Sequence, residues 1–169
     1  MINKTNIIIY LFLNFIIFLS LIFLTNISLS DNIEIKGNAY IIDGDTIKIS
    51  KRKIRLSGID APELKQLCSD KNSNSWQCGK KSKIALKNFI NKEIITCIGQ
   101  KKDRYKRIIG ECYLGSQDIQ EWMVRNGWAI AYKKYSKKYI NAENFARNNN
   151  LGIWQGKFLE PYKWRKLNK

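Results

Sequence analysis

The sequence contains no histidine. That absence excludes imidazole as a general base, as a metal ligand and as the activator of a serine or cysteine nucleophile. Four cysteines are present, Cys68, Cys78, Cys97 and Cys112, and no pair has the CxxC spacing of a zinc site. Acidic residues are scarce, 14 against 30 basic ones, for a net charge of +16. There are no internal repeats, and the basic residues run along the chain without a polybasic tail, describing a charged surface more than a tether. Hydrolytic chemistry on this chain therefore has to use carboxylates, guanidinium groups, a thiol, or a metal held by oxygen.

At 169 residues the chain supports one domain, with the first thirty residues set apart from it. Residues 7–24 are apolar except for Asn14 and Ser20, Lys4 is the single charge before them, and Ser28-Leu29-Ser30 offers small residues where a signal peptidase would cut. The run also approaches the ~20 residues that span a bilayer. Two readings stand: a signal peptide cleaved near Ser30, or an uncleaved membrane anchor over residues 7–24. Either makes the body an exported one. That body carries 29 basic and 14 acidic residues and would attract polyanions in a salt-dependent way, or cling to anionic lipid heads. Four cysteines suit an oxidising compartment. Of the three possible pairings, Cys68–Cys78 would close a polar loop and Cys97–Cys112 would join successive strands; the alternative is four unbridged thiols.

From Ile33 onward apolar and polar residues alternate as in half-buried strands. Ile33 and Ile35 alternate with Glu34 and Lys36, Tyr40-Ile41-Ile42 leads into the turn signal Asp43-Gly44, and Thr46 to Ile49 alternates again. Ile54 to Ile59 reads as a third strand, ended by Pro62. Leu64 to Gln77 is polar and reads as a loop. Ile84, Ala85, Leu86 and Phe89 have helical spacing within Lys80 to Ile90. Glu93–Ile98 and Ile108–Leu114 are two further strands joined by a basic loop. Asp118 and Glu121 have capping-box spacing ahead of a second helix, and Ile140–Asn148 is a third. Five strands and three helices in this order predict an α+β, mainly β, five-stranded OB-fold barrel with three helices. The expected organisation is a leader over 1–30, a body over 31–157 and a basic, aromatic, loosely ordered tail over 158–169.

Three motifs carry chemistry. Asp45, in Asp43-Gly44-Asp45-Thr46, and Asp60, in Asp60-Ala61-Pro62-Glu63, stand at the ends of different strands. Two carboxylates so placed, with a backbone carbonyl and waters, suit a hard divalent cation. Each alone also reads blandly, Asp45 as a turn cap and Asp60 as a strand stop. Glu63 would orient or deprotonate a water attacking phosphorus, or is a surface glutamate. Arg55 interrupts an otherwise apolar strand, where burial demands a partner: a phosphate, or an internal acid such as Asp45 or Asp60. Arg107, in the basic loop Asp103-Arg104-Tyr105-Lys106-Arg107, could close on the same phosphate.

Together with Val124-Arg125-Asn126-Gly127-Trp128-Ala129 and Leu151-Gly152-Ile153-Trp154, these ordered motifs resemble the thermonuclease (staphylococcal nuclease-like) family over roughly Ile35 to Trp154. The resemblance implies an OB-type barrel and a Ca²⁺-dependent nuclease acting on DNA and RNA with low sequence specificity, leaving 3′-phosphate ends. It implies Asp45, Asp60 and the Ala61 carbonyl as metal ligands, Arg55 and Arg107 on the phosphate, Glu63 on the water, and Asp103 and Tyr105 near the bound nucleotide. Two departures stand out. Lys106 occupies a position where the family often has glycine, and a cysteine-bearing insertion from Leu64 to Cys78 directly follows Glu63. The expectation is an exported, monomeric nuclease with DNA and RNA as partners. Its rivals are a non-catalytic OB-fold nucleic-acid-binding module and a membrane-associated structural protein using its charge on lipid. Clustered acids repel phosphate unless a cation intervenes, and a pure binder has little need of Glu63.

Overall fold

A computed structural model describes residue 9 and residues 11–18 and 32–168. The chain divides into two units, 1–31 and 32–169. In the first, residues 11–18 are helical with exposed side chains. The rest of the expected signal or anchor lies outside the described residues. Among the described residues no helix is long and apolar enough to cross a membrane.

The second unit is built on a closed barrel. Strands β1 (Ile33–Ile41), β2 (Thr46–Ile49) and β3 (Arg52–Leu56) form an antiparallel meander, with Ile41 opposite Ile47 and Ile47 opposite Ile54. A two-residue strand β4 (Ile59–Asp60) follows, and then a small ladder, β5 (Cys68–Ser69) with β6 (Ser75–Trp76). Strands β7 (Ile94–Lys102) and β8 (Ile108–Leu114) pair with each other, and β7 also pairs with the far side of β1. Closure comes from β3 lying parallel to β8, Ile54 beside Ile108. No open edge is left on that side, which removes the unpaired N–H and C=O groups that make free strands sticky.

Burial follows the alternation. Ile47, Ile54 and Ile95 are fully buried, and Ile49 and Leu56 nearly so. Each such side chain contributes about 1.5–3 kcal/mol by leaving water. Helix α1 (Cys78–Ile90) buries Leu86 and Ile90 against this core, while α2 (Ile119–Arg125) buries Ile119, Met123 and Val124. The Asp118 carboxylate caps α2 by accepting the Glu121 N–H at 3.0 Å. Strand β9 (Gln117–Asp118) extends the sheet beside β8, and β10 (Ile130–Ala131) pairs with β4, so that Ile130 faces Asp60 across the ladder. Helix α3 spans Ile140–Asn148, the expected bounds. Trp122 and Trp128 pack against the core, Trp122 stacked on Phe89 at 4.0 Å, and Tyr139 is buried with them.

Both expected disulfides are present, Cys68–Cys78 and Cys97–Cys112. The second joins directly opposed residues of β7 and β8. The first pins the insertion after Glu63 to the start of α1, and with Ile153 it seeds a small second core flanked by Trp76, Trp154 and Phe158. The tail differs from the loosely ordered segment that its composition suggested. Pro161 starts a further helix, α4 (Pro161–Leu167), because its locked φ suits a first helical turn.

Candidate active site

The barrel presents its acids at one end because the β1–β2 turn and the β4 segment meet there. Gly44 makes that meeting possible: a Cβ on it would stand 2.7 Å from the Ala61 Cβ and 2.1 Å from the Ser82 hydroxyl oxygen. With no side chain at Gly44, the Ala61 N–H reaches Asp45 and donates to its Oδ2 at 2.8 Å. Asp45 is nearly buried and Asp60 entirely so.

Arg55 lies beneath both acids. One guanidinium nitrogen, Nη1, pairs with Asp45 Oδ1, while Nη2 donates to Asp60 Oδ1 at 2.9 Å and to the Ile59 carbonyl at 3.1 Å. A single side chain thus spans the two carboxylates, which sets them beside one another. Burial pulls the Arg55 guanidinium below its usual range, with the charge of Asp60 acting against the shift. It remains a cation, since arginine does not lose its proton in proteins.

Arg107 arrives from the β7–β8 loop. Its Nη1 donates to the Thr46 hydroxyl at 3.1 Å, and that hydroxyl in turn donates to Asp45 Oδ1 at 3.1 Å. Asp103 holds it from the other side, accepting from Nε at 2.8 Å and pairing with Nη2 at 2.7 Å. Asp103 also accepts the backbone N–H groups of Tyr105 and Arg107, so it shapes the turn as well as aiming the arginine. Burial alone would raise its carboxyl, but these bonds outweigh burial and hold it below the usual carboxylate range. Tyr105 is exposed, with its ring 5.4 Å from the Arg107 guanidinium carbon. Lys106 has φ +62°, the left-handed region that glycine enters without cost, which explains why that position suits glycine.

Glu63 follows Asp60 three residues on, past Pro62. Gln66, fully buried, accepts the Glu63 N–H at 3.2 Å and keeps the backbone in place. The Glu63 carboxylate meets a residue outside all three motifs. Arg165, from α4, donates through Nη1 to Glu63 Oε1 at 2.8 Å and to Asp60 Oδ1 at 2.9 Å, and through Nη2 to Asp60 Oδ2 at 3.0 Å. Burial works against the Arg165 charge, but its bonds to Asp60 and Glu63 win and hold it above the ordinary arginine range.

Asp45, Asp60, Glu63, Arg55 and Arg107 are thus brought into one continuous network, with Asp103 and Tyr105 at its rim through Arg107. Four participants were not singled out from sequence. Asp43 accepts the Asp45 N–H at 3.0 Å, and its own carboxyl is pushed up by burial against the pull of Arg55. Thr46 bridges Arg107 to Asp45, Gln66 holds the Glu63 backbone, and Arg165 closes the cluster. The Asp-Gly turn pointed to Asp43 and Thr46. Nothing in the local pattern distinguishes Arg165 from the surrounding tail cations.

The donor set suits a hard cation. Two carboxylates, one from the β1–β2 turn and one from β4, lie within the span of one guanidinium, and cationic groups already sit against their oxygens. Among the described residues no group of three or more histidine, cysteine, aspartate or glutamate side chains is arranged to hold a metal, so carbonyls and waters would have to complete the shell.

A family profile described as staphylococcal nuclease homologue matches residues 53–156. A succinoglycan biosynthesis protein of Rhizobium meliloti is 36% identical over 122 residues, covering 70% of this chain and 64% of that protein. An uncharacterized endonuclease of Haemophilus influenzae is 34% identical over 137 residues, 76% of this chain and 71% of its own length. A probable staphylococcal-like nuclease of Oryza sativa subsp. japonica is 36% identical over 126 residues, 73% of this chain but 23% of that protein. The chain thus spans less than two thirds of the length of the Rhizobium and rice relatives.

Proposed function

The chain belongs to the staphylococcal nuclease homologue family, and on that premise we propose that it is a phosphodiester hydrolase that cuts DNA and RNA. The observation that carries the reading is the convergence of Asp45, Asp60, Glu63, Arg55 and Arg107, drawn from three segments, around one end of the barrel. Asp45, Asp60 and the Ala61 carbonyl would hold Ca²⁺. When bound, the ion supplies positive charge beside the phosphoryl oxygens and a coordination position for water.

The remaining work falls to side chains. Arg55 is held in the cluster by Asp45 and Asp60, and Arg107 by Asp103 and Thr46, which would keep both guanidinium groups near the phosphoryl group as charge develops on it. Removing one such donor costs about 10²–10³ in rate in comparable sites. Glu63 accepts the proton of the attacking water, a step worth about 10²–10⁴. Water attacks phosphorus, the bond on the 5′-oxygen side breaks, that oxygen leaves as the 5′-hydroxyl with a proton drawn from solvent, and the phosphate stays on the 3′ end. Asp103 and Tyr105 line the nucleotide's approach. Every proposed contact is to phosphate or to a ring face, which gives low sequence specificity.

The apolar leader over 1–30 and the two disulfides support export, as a signal-cleaved or membrane-tethered monomer whose nuclease body runs over 31–157 with the basic tail 158–169 beyond it. The test is digestion of single-stranded DNA and of RNA by the full chain, with Ca²⁺ and with chelator, beside Glu63→Gln. Calcium-dependent cutting with 3′-phosphate ends, reduced by at least about 10²-fold in the variant, is expected. Tight binding without cutting would instead make this a nucleic-acid-binding module.

A further inference from the structure

Helix α4 is attached in two different ways along its approach. The strap before it is firmly held. The Ser69 N–H donates to the Lys157 carbonyl at 2.8 Å, Phe158 packs beside the Cys68–Cys78 bridge, and the Gln66 side-chain amide donates to the Leu159 carbonyl at 2.6 Å. Beyond Glu160 the attachment thins. Pro161 is the helix's one fully buried residue, Trp164 is half-buried, Leu167 is 75% exposed, and Lys163 and Lys166 pair within the segment, with Glu160 and Tyr162.

Arg165 makes the polar link to the acid cluster. Its two terminal nitrogens take both oxygens of Asp60 and one of Glu63. These are the oxygens that the proposed metal and attacking water require. A carboxylate gripped by a two-pronged guanidinium cannot turn the same lone pairs to a divalent ion, and two cations at that spacing repel. Nor can Asp60 simply be released. It is fully buried, and although Arg55 would stay on Oδ1, Oδ2 would lose the Arg165 guanidinium and call for another cation in its place. The closed arrangement therefore suits a metal-free molecule.

We infer that α4 is an autoinhibitory arm in which Arg165 stands in for the divalent cation at Asp60 and Glu63 and is displaced when that cation binds. The inference rests on the nuclease reading above. Asp60, Tyr132, Glu160 and Tyr162 line one cavity of about 670 Å³, so swinging α4 about Glu160 also opens a path for a strand to the cluster. The strap stays in place during this movement because its anchors, Gln66 and the disulfide, lie before the pivot.

The experiment is calorimetric Ca²⁺ titration of the full chain and of Arg165→Gln, together with melting curves in chelator and in saturating Ca²⁺. Losing a charge-assisted competitor should tighten Ca²⁺ binding by at least about fivefold. Arg165→Gln should also melt below wild type in chelator, with the gap closing in Ca²⁺. Equal Ca²⁺ affinities in the two proteins would overturn the inference while leaving the nuclease reading intact. If neither protein binds Ca²⁺ at millimolar concentration, the metal reading falls and takes this inference with it. Arg165→Lys keeps the charge without the fork and should bind Ca²⁺ with intermediate affinity. It carries the comparison if the glutamine variant melts without a cooperative transition.

Discussion

Gly79→Ala sets helix propensity against steric fit. Gly79 is the second residue of α1, and alanine is favoured over glycine in a helix by about 0.8–1 kcal/mol. Propensity alone therefore expects stabilisation. The surroundings expect the opposite. A Cβ on Gly79 would stand 1.7 Å from the Glu63 carbonyl oxygen, 2.5 Å from its carbon and 3.0 Å from the Leu64 Cα. Those are backbone atoms, tied down by the Gln66 contacts and by Cys78, so the segment has to retreat by more than about 1 Å to reach ordinary contact. Overpacking of that kind costs about 1–3 kcal/mol, occasionally more, which exceeds the propensity gain. The net loss of about 1–2 kcal/mol should lower the melting temperature by roughly 2–8 °C. Because the atoms displaced belong to Glu63, cutting of single-stranded DNA should fall by about 10²-fold although no chemical group is lost. Lys80→Ala, on the exposed side of the same turn, serves as the control and should be near neutral. A Gly79→Ala protein that melts at or above wild type and cuts normally would refute the steric argument.

Lys106 has a left-handed backbone, which costs a residue with a Cβ about 1–2 kcal/mol. Lys106→Gly, after its own unfolded-state penalty of about 0.4–1 kcal/mol, should be slightly more stable, whereas Lys106→Val should be the least stable of the three. Denaturant midpoints in the reverse order would show that the turn is not strained. Asp103 has a carboxyl depressed in the folded state, so it binds fewer protons there than when unfolded. Its stabilisation is complete above its ordinary value of 3.8 and is lost as pH falls through the lower folded value. The melting-temperature gap between wild type and Asp103→Asn should be flat from pH 7 to about 5 and shrink below 4. A gap unchanged down to pH 2 would mean that Asp103 does not support Arg107 through its charge.

Much of this architecture was legible because its causes are local. Alternating isoleucines have a two-residue period that suits a one-sided strand, and they mark β1 and β2. Asp118 with Glu121 announced the start of α2, and the apolar spacing from Ile140 announced α3. The need of Arg55 for partners was legible for a related reason. An arginine within an apolar strand is costly enough to demand a partner, and Arg55 has two, Asp45 and Asp60. The role of Gln66 was not legible, because a buried glutamine leaves no periodic trace. The tail misled for want of context. Its lysines and aromatics look solvated until Pro161 is seen starting a helix and Phe158 is seen packed beside a disulfide.

Sequence alone determined what chemistry is open to this protein. Without histidine it has carboxylates and guanidinium groups, and its turn and strand signals place those groups at segment ends. Spacing within each segment is local, so one chain of residues suffices to read it. Which groups meet is decided by barrel closure, through the parallel pairing of β3 with β8 and the register of β4 on β10. That closure brings Arg107 to Thr46 across 61 positions, while the strap held by Gln66 and Ser69 brings Arg165 to Asp60 across 105. Contacts at such separations depend on the packing of the whole core, and no local pattern encodes them.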